Sequence, residues 1–457
     1  MRDLSAVVKA YDIRGVVGDQ LDDAVVADIG AAFADLVADQ AGEVVVGHDM
    51  RDSSPRLAAA FADGVTSRGL DVVSIGLAST DMLYFASGHL DRPGAMFTAS
   101  HNPARYNGIK LCRAGASPIG QDTGLDRIRA TVERGVESGP GGGRVTERDV
   151  LTGYAEYLRG LVDISGGREL RVVVDAGNGM GGYTVPAVFD PLPLAVTPLY
   201  FELDGSFPNH EANPLDPANI VDLQEAVRAG GADIGLAFDG DADRCFVVDE
   251  RGEPVSPSAI TALVATRELT KARARGEGAS SVIYNLIVSH AVPEIVAEHG
   301  GIPVRTRVGH SFIKQTMAET GAIFGGEHSA HYYFRDFWRA DSGMLAALHV
   351  LSALGQQDGP LSALMAEFTR YAASGEINAE VDDQAAAMAA VREHFTGRDG
   401  ATVDELDGLT VELPGGAWFN LRPSNTEPLL RVNIEGPGDD DVAALRDEVM
   451  AFVRAPR

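Results

Sequence analysis

The chain has 457 residues, more than one hydrophobic core ordinarily supports, so two to four domains are expected. Hydrophobic residues make up 45% of it, but no uninterrupted apolar run approaches the ~20 residues of a membrane helix, so no membrane partner is expected. A net charge of −28 argues against nucleic acid, whose binding is largely cationic neutralisation of phosphates, and requires any anionic substrate to meet locally gathered Arg, Lys and His.

The first residues, Met1-Arg2-Asp3-Leu4-Ser5, lack the apolar core of a signal peptide, and a cytoplasmic location is expected. Cys112 and Cys245 have no zinc-type spacing and cannot build a disulfide scaffold, so each reads as a buried structural thiol. Two cations and an aromatic open the chain in Lys9-Ala10-Tyr11-Asp12-Ile13-Arg14-Gly15. An amphipathic helix is predicted over 22–39, a buried strand over 43–47, and then a polar loop, His48-Asp49-Met50-Arg51-Asp52. Ser54-Pro55 reads as an N-cap with proline at N1, starting a helix through Gly64. A strand over 71–76 and a helix lead to the apolar run Gly94-Ala95-Met96-Phe97, which ends abruptly in Thr98-Ala99-Ser100-His101-Asn102-Pro103. Strand, polar loop, helix, strand is the rhythm of a parallel α/β sheet.

The stretch Gly139-Pro140-Gly141-Gly142-Gly143 reads as a domain linker, after which the rhythm repeats. Strands over 170–175 and 233–238 end in a glycine loop and an acidic loop. A third round runs from a helix over 258–275 through strands at 281–286 and 303–307 to Ile323-Phe324. The last ~85 residues, with helices near 383–395 and 440–454 around strands near 409–413 and 418–421, form a smaller α+β unit. The expected boundaries are 1–140, 146–250, 251–370 and 373–457.

Five loops carry chemistry. A catalytic serine needs charged partners and an oriented base, and Ser100 has His101 beside it and Lys110 a few residues on. Asp239-Gly240-Asp241-Ala242-Asp243-Arg244 sets three carboxylates at alternate positions, where like charges repel unless a cation sits among them, so an oxygen-ligated Mg²⁺ is expected. An EF-hand is excluded because Arg244 stands where that loop needs glycine and strands flank it. Gly177-Asn178-Gly179-Met180-Gly181-Gly182 follows a strand and, with Glu202, satisfies a dinucleotide fingerprint, which keeps an NAD(P)-dependent dehydrogenase as an alternative. In Gly325-Gly326-Glu327-His328-Ser329-Ala330-His331, Glu327, Ser329 and His331 alternate; on an extended segment they share one side and suit sugar hydroxyls, with His310 nearby. Arg422-Pro423-Ser424-Asn425-Thr426-Glu427-Pro428 offers a guanidinium fork and neutral donors, the chemistry of a phosphate cradle.

Four of these loops, in this order along essentially the whole chain, resemble the phosphoserine, metal, sugar and phosphate loops of the α-D-phosphohexomutase family. Lys9–Gly15 and Phe207-Pro208-Asn209-His210-Glu211-Ala212-Asn213-Pro214 resemble further family segments, and Glu-x-Ser-x-His is similar to the phosphomannomutase/phosphoglucomutase branch. The resemblance implies three related α/β domains with mixed, mostly parallel sheets and a smaller C-terminal domain around a central cleft. It implies that Ser100 carries a phosphoryl group, passes it to a hexose monophosphate, and is rephosphorylated from the other end of the bisphosphorylated sugar. Mg²⁺ would sit on Asp239, Asp241 and Asp243 and touch the serine phosphate, and a hexose 1,6-bisphosphate would act as activator. Arg14, Lys110 and Arg244 would stabilise the charge, with His101 close by. Tyr11, Glu327 and Ser329 would contact the sugar, while Arg422, Ser424, Asn425 and Thr426 would clamp the phosphate that is not reacting. Lys110, His310 and His331 are candidates for proton transfer. The chain departs from the branch in having Ile283-Tyr284-Asn285-Leu286-Ile287 where a lysine commonly follows the third-domain strand. Phosphomannomutase activity extending to glucose phosphates is expected, in a monomer or small homo-oligomer. Phosphoglucosamine mutase is the near alternative and a phosphoserine-forming phosphatase a further one.

Overall fold

The computed structural model describes residues 3–423 and 429–454. Four sheets follow one another along the chain. In the first, Ile13–Val16, Tyr106–Arg113, Gly94–Phe97, Glu43–His48, Asp71–Leu77 and Val145–Glu147 lie side by side, and Ser117–Pro118 pairs with Tyr106–Arg113. The second orders Pro254–Val255, Cys245–Asp249, Ile234–Phe238, Leu170–Asp175 and Leu194–Leu199; the third orders Ile302–Thr306, Ser281–Asn285, Phe324–Gly326, Tyr332–Phe334 and Ala340–Asp341. In these three, parallel central strands meet antiparallel neighbours. The fourth sheet, Ala372–Glu380, Leu429–Gly436, Trp418–Pro423, Leu409–Glu412 and Thr402–Asp404, is antiparallel throughout.

Local chemistry accounts for most element ends. Asp22 caps the helix Asp23–Val37, its carboxylate accepting from the Val25 amide at 2.7 Å. Ser79 and Ser342 cap Thr80–Leu90 and Gly343–Gly355 in the same way. Ser54 departs from expectation: the cap position of Ser54–Ser67 belongs to Ser53, without a side-chain bond, because the Ser54 hydroxyl donates instead to buried Asp49 at 2.5 Å. The glycine-rich stretch is not a linker either. Gly141 and Gly143 donate to the carbonyls of Ser67 and Thr66, and Val145–Glu147 then pairs with Asp71–Leu77, so the chain leaves the first sheet only after Glu147.

One apolar core runs continuously through the first three units, from Val45 and Met82 through Tyr154, Phe189 and Phe238 to Leu263, Phe334 and Leu348. The fourth unit has its own, around Val391, Phe395, Phe419 and Leu430. Where the first three meet lies the fully buried Asp81. It accepts hydroxyl hydrogen bonds from Ser79 at 2.5 Å, from Tyr154 of the second unit at 2.6 Å and from Ser342 of the third at 2.7 Å. Burial pushes its carboxyl up to about 6 although all three hydroxyls pull the other way.

Replacing Asp81 by Ala should cost about 3 kcal/mol in urea denaturation, since three hydroxyls lose their buried acceptor; a loss under about 1 kcal/mol would contradict the joint. Because the folded-state value lies above the unfolded 3.8, the folded chain binds the extra proton. The contribution of Asp81 is therefore full below about pH 4 and falls as pH rises towards 6, a slope that Asp81→Asn should remove.

Candidate active site

The serine loop leaves the end of Gly94–Phe97, between Glu43–His48 and Tyr106–Arg113, at the strand-end edge where α/β sheets place ligands. Ser100 is buried with φ +50°, in the left-handed region, and its amide donates to Thr98 Oγ1 at 2.9 Å. Its hydroxyl donates to Asp239 Oδ2 at 2.8 Å, across the boundary between the first two units. His101 Nδ1 lies 3.2 Å from the same oxygen and accepts from Arg244 Nη2 at 2.6 Å. Burial and the guanidiniums of Arg244 and Arg14 hold that imidazole well below its usual value, so it is neutral. Arg14 bonds Asn102 Oδ1 and, at 2.5 Å, Asp12.

Asp239, Asp241 and Asp243 are fully buried between the strands Ile234–Phe238 and Cys245–Asp249, with ligand atoms within 4.8 Å of one another. Arg244 Nε pairs with Asp239 Oδ2 at 2.9 Å, and Lys110 Nζ reaches Asp241 Oδ2 at 2.7 Å and Asp243 Oδ2 at 2.5 Å. Burial drives the Asp239 carboxyl up and, despite Arg244, Asp243 and Asp241 add to the rise. Burial also works against the Lys110 ammonium, but Asp241 and Asp243 outweigh it and hold it well above its usual value. Asp241 and Asp243 each keep an Oδ1 that is buried and without a hydrogen-bond partner. Two orphaned carboxylate oxygens beside a raised third aspartate fit a divalent cation. A second group, Asp243, His331 and Asp341, is equally compact, but it shares Asp243 with the first and offers two carboxylates rather than three, so the three aspartates are the better seat for a hard cation.

The Glu-Ser-His segment is a turn rather than an extended strand. The Glu327 amide donates to the His331 carbonyl at 3.0 Å, and Ala330 has φ +63°. The three side chains nevertheless gather: Ser329 Oγ is 3.0 Å from His331 Nδ1, which lies 3.6 Å from Glu327 Oε2, and His331 Nε2 is 3.7 Å from Asp243. Buried Glu327 accepts from Asn285 Nδ2 at 3.1 Å, the Gly309 amide at 3.2 Å and the Tyr333 hydroxyl at 2.6 Å. Asn285, at the end of Ser281–Asn285, thus helps to hold the glutamate. His310 has an unpartnered Nδ1, and burial reinforced by Lys314 pushes it down to about 3. Tyr11 packs edge-on against His310 at 4.9 Å; burial and the charges of Asp407 and Glu327 raise its hydroxyl.

Arg422, on Trp418–Pro423, has a buried Nε without a hydrogen-bond partner among the described residues and lies 3.9 Å from Asp407, whose carboxylate also accepts from the Val308 amide at 3.0 Å. Ser424, Asn425 and Thr426 lie outside the described residues. The glycine loop does not form a dinucleotide seat. Met180 N donates to the Gly240 carbonyl at 2.9 Å, and a Cβ at Gly179 would meet that oxygen at 2.7 Å, so the loop is packed against the metal loop. Cys112 and Cys245 are buried and free, as expected of structural thiols. Sequence reasoning missed Arg51, Thr80 and Asp81. Thr80 donates its hydroxyl to Asp241 at 2.5 Å and its amide to the Asp241 carbonyl at 3.0 Å. The only signal for Arg51 was a charged loop at the end of a parallel strand.

Models of the phosphoglucomutase/phosphomannomutase domains match in order: alpha/beta/alpha domain I over 5–138, domain II over 152–252, domain III over 256–371 and the C-terminal domain over 376–452. The chain is 42% identical over 435 residues to a protein of Xanthomonas campestris described as phosphohexose mutases, covering 94% of this chain and 95% of that one. It is 39% identical to a phosphomannomutase of Escherichia coli, with 98% of each covered. A solved phosphoglucomutase/phosphomannomutase family protein of Burkholderia thailandensis superposes with a TM-score of 0.88 at 32% identity, covering 99% of this chain and 98% of that one. Among the described residues, no helix is long and apolar enough to cross a membrane.

The approach of the two loops is testable at Gly240, where a Cβ would meet the Ser100 carbonyl oxygen at 2.4 Å. Gly240→Ala should weaken Mn²⁺ affinity in isothermal titration calorimetry by about tenfold, one decade being only ~1.4 kcal/mol. Gly42→Ala, with nothing within 4 Å, should leave it unchanged. Equal affinities in the two variants would mean that the loops do not depend on this contact.

Proposed function

Because the chain belongs to the phosphoglucomutase/phosphomannomutase family, we propose that it is a phosphomannomutase that interconverts mannose 6-phosphate and mannose 1-phosphate and accepts glucose phosphates as well. The observation that carries the reading is the Ser100 hydroxyl, 2.8 Å from Asp239, 3.2 Å from His101 Nδ1 and 3.5 Å from Arg244 Nη2, with Arg14 bonded to Asn102 of the same loop and Lys110 to Asp241 beside Asp239. Catalysis of phosphoryl transfer is mostly positioning and charge neutralisation, and this group offers both.

Ser100 carries the phosphoryl group. A sugar hydroxyl attacks phosphorus, the bond from Oγ to phosphorus breaks as the new one forms, and the hydroxyl proton leaves to a base. The resulting hexose 1,6-bisphosphate turns over in the cleft, and the reverse transfer at its other end regenerates phosphoserine. Asp239, Asp241, Asp243 and Ser100 would hold Mg²⁺, which supplies charge neutralisation at the transferred group. Lys110, 2.7 Å from Asp241 and 2.5 Å from Asp243, steadies charge beside the metal seat. His331, 3.7 Å from Asp243 and 3.6 Å from Glu327, is the group that receives and returns the proton; His310, pushed down to about 3, is too weak a base for that role. Glu327, Ser329 and Tyr11 orient the sugar, and Arg422 with Ser424, Asn425 and Thr426 holds the distal phosphate.

In interconversion assays with the 6-phosphates of mannose, glucose and glucosamine, turnover should be fastest with mannose; a clear preference for glucosamine would instead make the protein a phosphoglucosamine mutase. Ser100→Ala should lose about 10³-fold or more in kcat, and near-normal turnover would remove Ser100 from the chemistry. Arg422→Ala should raise KM by about tenfold with a smaller change in kcat.

A further inference from the structure

Arg51 is a fully buried cation that the chemistry above does not use. An arginine has five N–H donors in a rigid fork; here the four on Nη1 and Nη2 are hydrogen-bonded, while Nε, without a hydrogen-bond partner among the described residues, makes an ion pair. Nη1 donates to the carbonyls of Pro103 and Tyr106, each at 3.1 Å. Nη2 donates to those of Ser100 at 2.8 Å and Asn102 at 2.7 Å. Nε lies 3.2 Å from the carboxylate of Asp49, itself fully buried and anchored by the Ser54 hydroxyl. The serine loop is therefore wrapped around one guanidinium, with the Ser100 carbonyl turned inward towards it and the Ser100 hydroxyl turned outward to Asp239. That reversal is what φ of +50° at a non-glycine residue accomplishes, and it persists only where surrounding contacts over-determine it. From the other side the second unit closes on the same residue: the guanidinium stacks on Phe207 at 5.0 Å, and a Cβ at Gly205 would meet Arg51 Cα at 2.6 Å.

We infer that Arg51 is a positioning residue that sets the orientation of the Ser100 hydroxyl, by binding four carbonyls of its loop, and ties that orientation to the docking of the second unit through Phe207. The inference rests on the phosphoserine reading of Ser100. Lysine cannot replace it: three donors on a point charge do not span four carbonyls and a carboxylate. Ground-state sugar binding, which belongs to other loops, is left intact.

The test is Arg51→Lys and Arg51→Gln in the full-length enzyme, with mannose 1-phosphate turnover, folding by thermal melting, and intact mass after incubation with glucose 1,6-bisphosphate. The expected result is a fall in kcat of about 10²-fold, with KM within about threefold of the parent and phosphorylation of Ser100 slowed in parallel. A kcat loss smaller than about tenfold, or a rise in KM as large as the fall in kcat, overturns the inference. So does failure of both variants to fold, since a residue needed for the domain itself is not one that positions the nucleophile. Ser100→Ala separates the two levels: if that variant keeps its turnover the phosphoserine reading falls and takes this inference with it, whereas normal kcat in the Arg51 variants of a Ser100-dependent enzyme overturns this inference alone.

Discussion

Three carboxylates out of contact with water within 4.8 Å of one another are the costliest feature of this molecule, and its architecture follows from how they are compensated. The compensation comes from separate places in the chain. Arg244 belongs to the same loop, Lys110 reaches in from the first unit, and Thr80 contributes a hydroxyl and an amide from the start of a first-unit helix. Desolvation makes each partner worth more than it would be on the surface, because the attraction acts where no water screens it. The same contacts that make the aspartates tolerable dock the first unit on the second and bring Ser100 to Asp239. Folding and assembly of the site are one event.

That dependence fits a core shared by the first three units, beside the separate core that the first unit also has around Phe33, Phe61 and Phe97, whereas the fourth unit has only its own. Asp81 binds hydroxyls from three units directly behind Thr80, so the joint that fixes the domains and the joint that fixes the metal loop lie on consecutive residues. The fourth unit meets the third through Asp407 with the Val308 amide, Arg305 with Asp404 at 2.7 Å, and His290, whose amide donates to Glu435 at 2.9 Å and whose ring stacks on Trp418 at 5.1 Å. A unit with a core of its own that carries Arg422 beside the other three is suited to admit a sugar phosphate and then exclude water from it.

Much of this was legible in the sequence, for identifiable reasons. Apolar runs such as Gly94–Phe97 and Ile234–Phe238 end in loops whose polarity is abrupt, and those loops fall at one edge of their sheets, so strands and site residues could be located together. What was not legible depends on partners distant in the chain. Ser54 carries the signature of a helix cap, yet its hydroxyl is claimed by Asp49. The alternation of Glu327, Ser329 and His331 suggested an extended strand, but Ala330 turns the chain and the same three side chains meet by a different route. Arg51 stood unmarked in a polar loop and Asp81 carried no signal at all, because nothing local to either shows that four carbonyls or three hydroxyls will surround it.

The acidity of the chain takes on a different meaning against this site. With 66 acidic and 38 basic residues, a phosphorylated sugar approaching most of the surface meets like charge. The cleft reverses that locally, not by an excess of cations but by where their counter-charges stand. Lys110 and Arg244 are balanced by aspartates on one side, Arg14 by Asp12, and Arg422 stands 3.9 Å from Asp407, its Nε without a hydrogen-bond partner among the described residues. Each of these cations has an acidic counter-charge within 4 Å on the chain itself. An anionic ligand thus meets oriented donors in a region already stripped of water, where a modest number of them outweighs the repulsion of a distant and screened surface.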